Sequence, residues 1–465
     1  MNCSMPTSLG QKFTVLVVSD LDVDSAVGAG VHAIETELEA LGRPVSTAHS
    51  LDDAEALVAS NSALACVVLS WTLASADSAA LTQTLRILTR VRGHAERLPV
   101  LLGASRSAIG NVPIEIVEQI EGYIWALEDS PAFIAGRIDA AARRYLDSVL
   151  PPFFGAMTNF ADVHEYSWHT PGHTGGTAFM KTAVGRAFLG FYGEQMLRSD
   201  LSISVEDLGS LNDHSGPVGE AERYAARVFG ADQTYFSIGG SSASNEIVLH
   251  SAAADGDIVL VDRNCHKSLN YALKLSGAIP VYLKPTRNAR GVIGPVPASE
   301  LEPETVRKKL EDSPLVADPS QQPVLAVLTN STYDGLCYDV ECTTALLSQS
   351  VPRIHYDEAW FAYARFNPIY EGRYGMHRGV RSDDDATVSV THSTHKLLAA
   401  LSQASMIHVR SGRVPVEPTL FNEAFMTHTS TSPQYSIIAS TDVSAKMMDD
   451  AGPALTDESI REAID

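Results

Sequence analysis

Short runs of consecutive apolar residues alternate along this chain with stretches in which apolar residues recur every three or four positions. FTVLVV (13–18) is continuous, as a parallel strand buried on both faces is. Residues 25–41 then carry Val27, Val31, Ile34, Leu38 and Leu41 at helical spacing. CVVL (66–69), a helical stretch at 78–91, LPVLLG (98–103) and GYIWAL (122–127) continue the alternation. Strands alternating with helices predict a small parallel α/β domain over 1–130. PAFIAGRIDAAARRYLDSV (131–149) reads as an amphipathic helix, and Pro151-Pro152 stop it. Residues 131–155 are therefore expected to be a linker helix and proline hinge. Apolar runs resume at 258–262, 279–283, 324–329, 353–357 and 387–391. They predict one large α/β domain over 156–420, with 421–465 opening a following region.

Charge and length narrow the function. The 465 residues hold 34 basic and 56 acidic side chains, a net charge of −22. So acidic a protein is a poor partner for nucleic acid or an anionic membrane surface, and neither is expected. No run approaches the roughly 18 apolar residues of a membrane helix. The N-terminal MNCSMPTSLGQKF lacks a signal peptide's long apolar stretch. Five scattered cysteines, with no CxxC pair, fit free thiols in a reducing compartment. The cytoplasm is the expected location.

Four features beyond residue 155 carry candidate chemistry. IGGSSASNEIVLH (238–250) is a Gly-rich turn leading into a helix opened by Ser241 and Ser242, a setting suited to a phosphate. Serines at a helix start also serve as plain caps. YDEAW (356–360) puts Asp357 at the end of an apolar strand, where open α/β sheets bind ligands. THSTHKLLAALSQASMIHV (391–409) sets Lys396 between a strand and an apolar run (Leu397, Leu398, Leu401) expected to be helical, with Ser393 and His395 beside it. A lysine buried at such a junction must be paired, neutral or covalently used. DRNCHKSLN (262–270) puts His266 just after a strand. Taken singly, each reads as structural.

Together they meet the needs of one cofactor. Pyridoxal phosphate requires a lysine to bond its aldehyde, a carboxylate to keep its ring nitrogen protonated, an anion site, and a group against its ring. Lys396, Asp357, the Ser241/Ser242/Ser393/His395 set and His266 supply all four. A metal site at His169 and His173 is disfavoured, because Pro171 and Gly172 between them break a helix.

The first domain resembles a response-regulator receiver without its chemistry. Asp20 and Asp22 offer an acidic cluster, but the third strand ends in Ser70-Trp71 and the fifth in Ala126-Leu127-Glu128. The phosphoacceptor aspartate and the lysine of such a receiver are missing, so a scaffold or oligomerisation role is expected.

The whole chain resembles the bacterial ornithine/lysine/arginine decarboxylases. SWHTPGH (167–173), RSDLSISVEDLGSLNDHSGPVGEAE (198–222), NSTYDGLCY (330–338), YDEAWFAYARFNPIYEGRYGM (356–376) and FNEAFMTHTSTSPQY (421–435) carry the likeness, with the motifs above. The resemblance implies a receiver-like wing, then an aspartate-aminotransferase-like large domain with a mostly parallel sheet. It implies decarboxylation of a basic amino acid, arginine or lysine before ornithine. By motif, Lys396 is the Schiff-base lysine, Asp357 the pyridinium partner and His266 the ring-stacking residue. Ser241, Ser242, Ser393 and His395 are phosphate ligands, and Trp360 lies near the cofactor. The resemblance further implies a homodimer, with a decamer as the larger assembly. The sequence departs from the pattern in its phosphate loop. That loop reads GSSA, and Ala243 removes one hydroxyl, worth about 1–3 kcal/mol of cofactor affinity. Family members also continue well past residue 465. The alternative reading is an inactive, shortened relative that associates with full-length subunits.

Overall fold

The computed structural model describes residues 7–19, 25–94, 97–125, 127–163, 170–201, 205–379 and 384–465. The chain forms two compact units, Met1–Leu150 and Pro151–Asp465.

The first unit is built on five parallel strands, β1 (Thr14–Val18), β2 (Val45–Ala48), β3 (Leu64–Ser70), β4 (Val100–Gly103) and β5 (Gly122–Ile124), in the order β2-β1-β3-β4-β5. Their apolar residues are buried on both faces. Leu16, Val18, Leu69 and Leu102 pack to one side, and Val15, Val17, Cys66 and Val68 to the other. β2 is the strand the apolar pattern does not show, because VSTA is short and largely solvent-accessible. Asp20, Asp22 and Ala126, on which the receiver comparison turned, lie outside the described residues.

The expected linker helix is corrected. Pro131–Val149 belongs to the first unit, where Ile134, Ala135, Ile138, Ala142 and Leu146 pack on the sheet beside the Ala26–Ala40 helix. Its apolar stripe is what binds it there. Ser130 caps it, accepting from the Phe133 amide at 3.3 Å, with Pro131 in the first turn. Buried Asp139 accepts from Arg43 Nη2 at 2.9 Å. The units divide after Leu150.

The second unit holds a seven-stranded sheet of β6 (Gln233–Ser237), β7 (Ile258–Asp262), β8 (Ile279–Leu283), β9 (Leu325–Thr329), β10 (Arg353–Asp357), β11 (Thr387–His392) and β12 (Ser405–Arg410). The order is β6-β12-β11-β10-β9-β7-β8, and β12 alone runs antiparallel. β10 lies at the centre. Its two-residue period sends Ile354 and Tyr356 into one core and leaves His355 and Asp357 on the opposite face.

Two expectations change here. The apolar residues after Lys396 do not continue a helix. The helix is a single turn, Thr394–Leu397, and the chain doubles back into β12, leaving Leu397 and Leu401 exposed. Residues 421–465 also do not start a separate region. Helices Pro418–Thr427 and Tyr435–Ile464 carry Phe421, Phe425, Tyr435 and Ile438 into the core that holds Phe229 and Phe236.

Candidate active site

The carboxyl ends of the parallel strands gather the predicted residues. After β6 the chain turns through Gly240, whose φ of +71° suits glycine, and enters the Gly240–Ala252 helix. The Gly240 amide donates to the Gln403 carbonyl at 2.9 Å, tying this turn to the loop before β12. Ser241 sits in the first helical turn and accepts from Ser393 Oγ at 2.6 Å, so two of the phosphate-site candidates are in direct contact. Ser242 is exposed beside them. First-turn amides have no partner within their own helix, so they are available to an anion. His395 donates from Nδ1 to the Ala404 carbonyl at 2.8 Å, leaving Nε2 for another partner.

Asp357 is buried at the end of β10. Its Oδ2 accepts from Asn245 Nδ2 at 3.0 Å and its Oδ1 from the Ala359 amide at 3.2 Å. Asn245 Oδ1 in turn accepts from His355 Nε2 at 3.0 Å, and His355 Nδ1 lies 3.0 Å from Ser389 Oγ. Complete burial pushes the His355 pKa down to about 4, with the Asp357 charge opposing. His355 is thus a neutral imidazole, and its one N–H fixes which way the Asn245 amide faces.

His266 caps the Lys267–Ser276 helix. Its Nδ1 accepts from the Ser268 amide at 3.3 Å and lies 2.9 Å from Ser268 Oγ. Asn245 Nδ2 also reaches Ser268 Oγ, at 3.3 Å. His266, Ser268, Asn245 and Asp357 therefore form one connected network. Lys396 is half-buried, with Nζ 4.4 Å from the centre of the Trp360 ring. Tyr333 meets that ring edge-on at 5.3 Å. Burial lowers the Lys396 pKa and nearby Asp357 raises it in part.

A second buried chain braces the site from behind. Glu358 accepts from Asn330 Nδ2 at 2.7 Å, the Gly375 amide at 2.6 Å and His392 Nε2 at 3.3 Å. His392 Nδ1 accepts from His408 Nε2 at 3.0 Å, and His408 Nδ1 from Thr234 Oγ1 at 2.8 Å. Burial and the neighbouring His392 hold the His408 pKa well below its ordinary value. The chain joins β10, β11, β12 and β6 and anchors the segment bearing Ser393.

Sequence reasoning missed Asn245, His355 and Glu358. Asn245 lies four residues after Ser241 on the same helix, so it shares that helix face. His355 is two residues before Asp357, hence on the same side of the strand. His169 lies outside the described residues, and His173 Nε2 bonds Asp200 Oδ2 at 3.0 Å. Among the described residues no group of three His, Cys, Asp or Glu is placed to hold a metal.

The donor set fits pyridoxal phosphate. A half-buried amine, a buried carboxylate and hydroxyls at a helix N-terminus converge on one sheet edge, and the wing-plus-large-domain fold is that of a pyridoxal-phosphate enzyme of the aspartate-aminotransferase type. The chain belongs to the ornithine/lysine/arginine decarboxylase family. The family's major domain matches residues 151–465 and its N-terminal domain residues 26–145. The chain is 46% identical to lysine decarboxylase LdcA of Pseudomonas aeruginosa, covering 97% of this chain and 61% of that protein. It is 45% identical to the biodegradative arginine decarboxylase of Escherichia coli, covering 97% and 60%. The solved structure of lysine decarboxylase A from Pseudomonas aeruginosa superposes with a TM-score of 0.91 at 46% identity, over 97% of this chain and 61% of that one. The chain thus spans about three fifths of the length of these relatives. Among the described residues no helix is long and apolar enough to cross a membrane.

Proposed function

We propose that this protein removes the carboxyl group of a basic amino acid, arginine or lysine before ornithine, using pyridoxal 5'-phosphate. The observation that carries the reading is that buried Asp357, at the end of β10, and half-buried Lys396, just past the end of neighbouring β11 and over the Trp360 ring, stand at the same end of the sheet. Bound pyridoxal phosphate supplies the electron sink for the carbanion left when carbon dioxide departs. The protein's residues do the rest. Lys396 bonds the cofactor, and its lowered pKa makes the neutral, reactive amine more accessible. Asp357 holds the proton at the ring nitrogen, with Asn245 fixing its carboxylate. His266, anchored through Nδ1, would be held where it can support the ring. Ser241, Ser242, Ser393 and His395 would hold the phosphate, and Trp360 walls the site beside Lys396. Lys396 Nζ or His395 delivers the proton that replaces the carboxyl group at Cα. One amino acid and one proton give one amine and one carbon dioxide.

The working form is a homodimer. The Ala183–Tyr192 helix supports this, since it leaves Phe188, Phe191 and Tyr192 exposed in one aromatic cluster. Decamers are the larger assembly, and the cytoplasm is the location, consistent with the free thiols of Cys66, Cys265, Cys337 and Cys342. The test is product analysis by mass. Incubation with pyridoxal phosphate and each amino acid should yield agmatine, cadaverine or putrescine. Unchanged amino acids throughout would refute the reading.

A further inference from the structure

Asp357 and Glu358 are consecutive buried carboxylates, and the proposed chemistry uses only the first. Glu358 reaches a different set of partners. Its Oε1 accepts from both Asn330 Nδ2 and the Gly375 amide, which leaves Oε2 to His392 Nε2 alone. A Cβ at Gly375 would collide with the Val390 side chain, so only glycine brings its amide this close. Among the described residues His392 is the one ion-pair partner of Glu358. Burying a carboxylate against a single imidazole gains little stability over an apolar side chain, so packing does not account for it.

What His392 holds is the turn into the phosphate site. It ends β11, and the next residue is Ser393. Its side chain is gripped between Glu358 Oε2 at 3.3 Å and His408 Nε2 at 3.0 Å. Its carbonyl accepts from Ser405 Oγ at 2.7 Å, and that oxygen lies 2.8 Å from Ser244 Oγ on the Gly240–Ala252 helix. His392 is thus fixed through side chain and backbone, one residue before Ser393 donates to Ser241.

We propose that Glu358 is a positioning residue of the phosphate site, acting through His392 on the placement of Ser393. The inference rests on the reading that Ser393 and Ser241 hold the cofactor phosphate.

The test measures the affinities of pyridoxal 5'-phosphate and of pyridoxal for the full chain by equilibrium dialysis. Pyridoxal keeps the ring and aldehyde and lacks the phosphate. Glu358→Gln keeps the shape but, with Oε1 held by two donors, turns an amide N–H toward His392 Nε2. It should weaken pyridoxal phosphate about fivefold and leave pyridoxal within about twofold. A double-mutant cycle separates this from general destabilisation. In the Ser393→Ala background Glu358→Gln should cost less than about twofold, because the residue it places is gone. Should Glu358→Gln not fold, His392→Leu cuts the same link and is put through the same cycle. Unchanged pyridoxal phosphate affinity, equal losses for both ligands, or an undiminished loss in the Ser393→Ala background would overturn the proposal. The underlying reading fails by a separate result: Ser393→Ala alone would leave pyridoxal phosphate affinity unchanged, and the proposal would fall with it.

Discussion

Asn245 Nδ2 lies 3.0 Å from Asp357 Oδ2 while Asn245 Oδ1 lies 3.0 Å from the buried His355 Nε2. One amide thus joins the carboxylate at the end of β10 to an imidazole on the same strand face. Because neutral His355 donates from Nε2, the Asn245 oxygen must face it and the amide N–H must face Asp357. This orients the carboxylate before any cofactor arrives.

Asn245→Ala removes that donor, leaving, among the described residues, buried Asp357 with only the Ala359 amide and His355 Nε2 with only a distant Thr391 Oγ1 at 3.5 Å, a cost of about 1–3 kcal/mol. The variant is expected to bind cofactor, to melt at lower temperature and to turn over about tenfold or more slowly. Turnover within a factor of two of the parent would show that Asp357 needs no such support.

The phosphate site makes a graded prediction. Ser393 is buried and bonded to Ser241, whereas Ser242 is exposed. Under the proposed assignment Ser393→Ala loses a phosphate ligand and also frees Ser241, so it should weaken cofactor binding more than Ser242→Ala. Roughly tenfold against a few-fold is expected. Equilibrium dialysis of the cofactor measures both, and the reverse ranking would contradict the geometry.

Two buried groups give opposite pH slopes. His355 titrates near pH 4 when folded, against 6.5 as an ordinary histidine. Between those values the unfolded chain binds the extra proton, so stability is lost as pH falls, by about 3 kcal/mol in all. Asp442 accepts from the Phe153 and Phe154 amides, at 2.8 and 3.0 Å, and burial raises its pKa from 3.8 to about 7. Between those values the folded chain holds the extra proton, so stability is lost as pH rises, by a similar amount. The two slopes offset in the wild type. Asp442→Asn removes the second one, so its melting temperature should rise more steeply than the wild type's from pH 4.5 to pH 7. Parallel profiles would remove Asp442 from the account.

The net charge of −22 predicts acid-dependent association. Protonating carboxylates relieves self-repulsion. Light scattering should record larger particles at pH 5 than at pH 8, and equal sizes would count against it.

Much of this was legible in the sequence because buried parallel strands are written as unbroken apolar runs. β1, β3, β7, β9 and β10 read directly. β2 did not, since VSTA neither alternates nor runs apolar. β12 was hidden because Leu397, Leu398 and Leu401 imitate helical spacing, although a single turn returns the chain to the sheet. The Pro131–Val149 helix is legible as a helix but its place in the first unit is not, since sequence shows an apolar stripe and not what the stripe covers. At the site, the residue types that pyridoxal phosphate demands stood out. Asn245, His355 and Glu358 did not, because a residue that orients another is visible only once the sheet brings them together.

Release of labelled carbon dioxide from carboxyl-labelled lysine, arginine and ornithine tests the central claim most directly. The wild type, Lys396→Ala and Asp357→Ala should be compared in the presence of pyridoxal phosphate. The account predicts release by the wild type from at least one substrate, none above background from Lys396→Ala, and at least about a hundredfold less from Asp357→Ala, which should still bind cofactor. Undiminished release from either variant, or no release by a folded, cofactor-bound wild type, would contradict it.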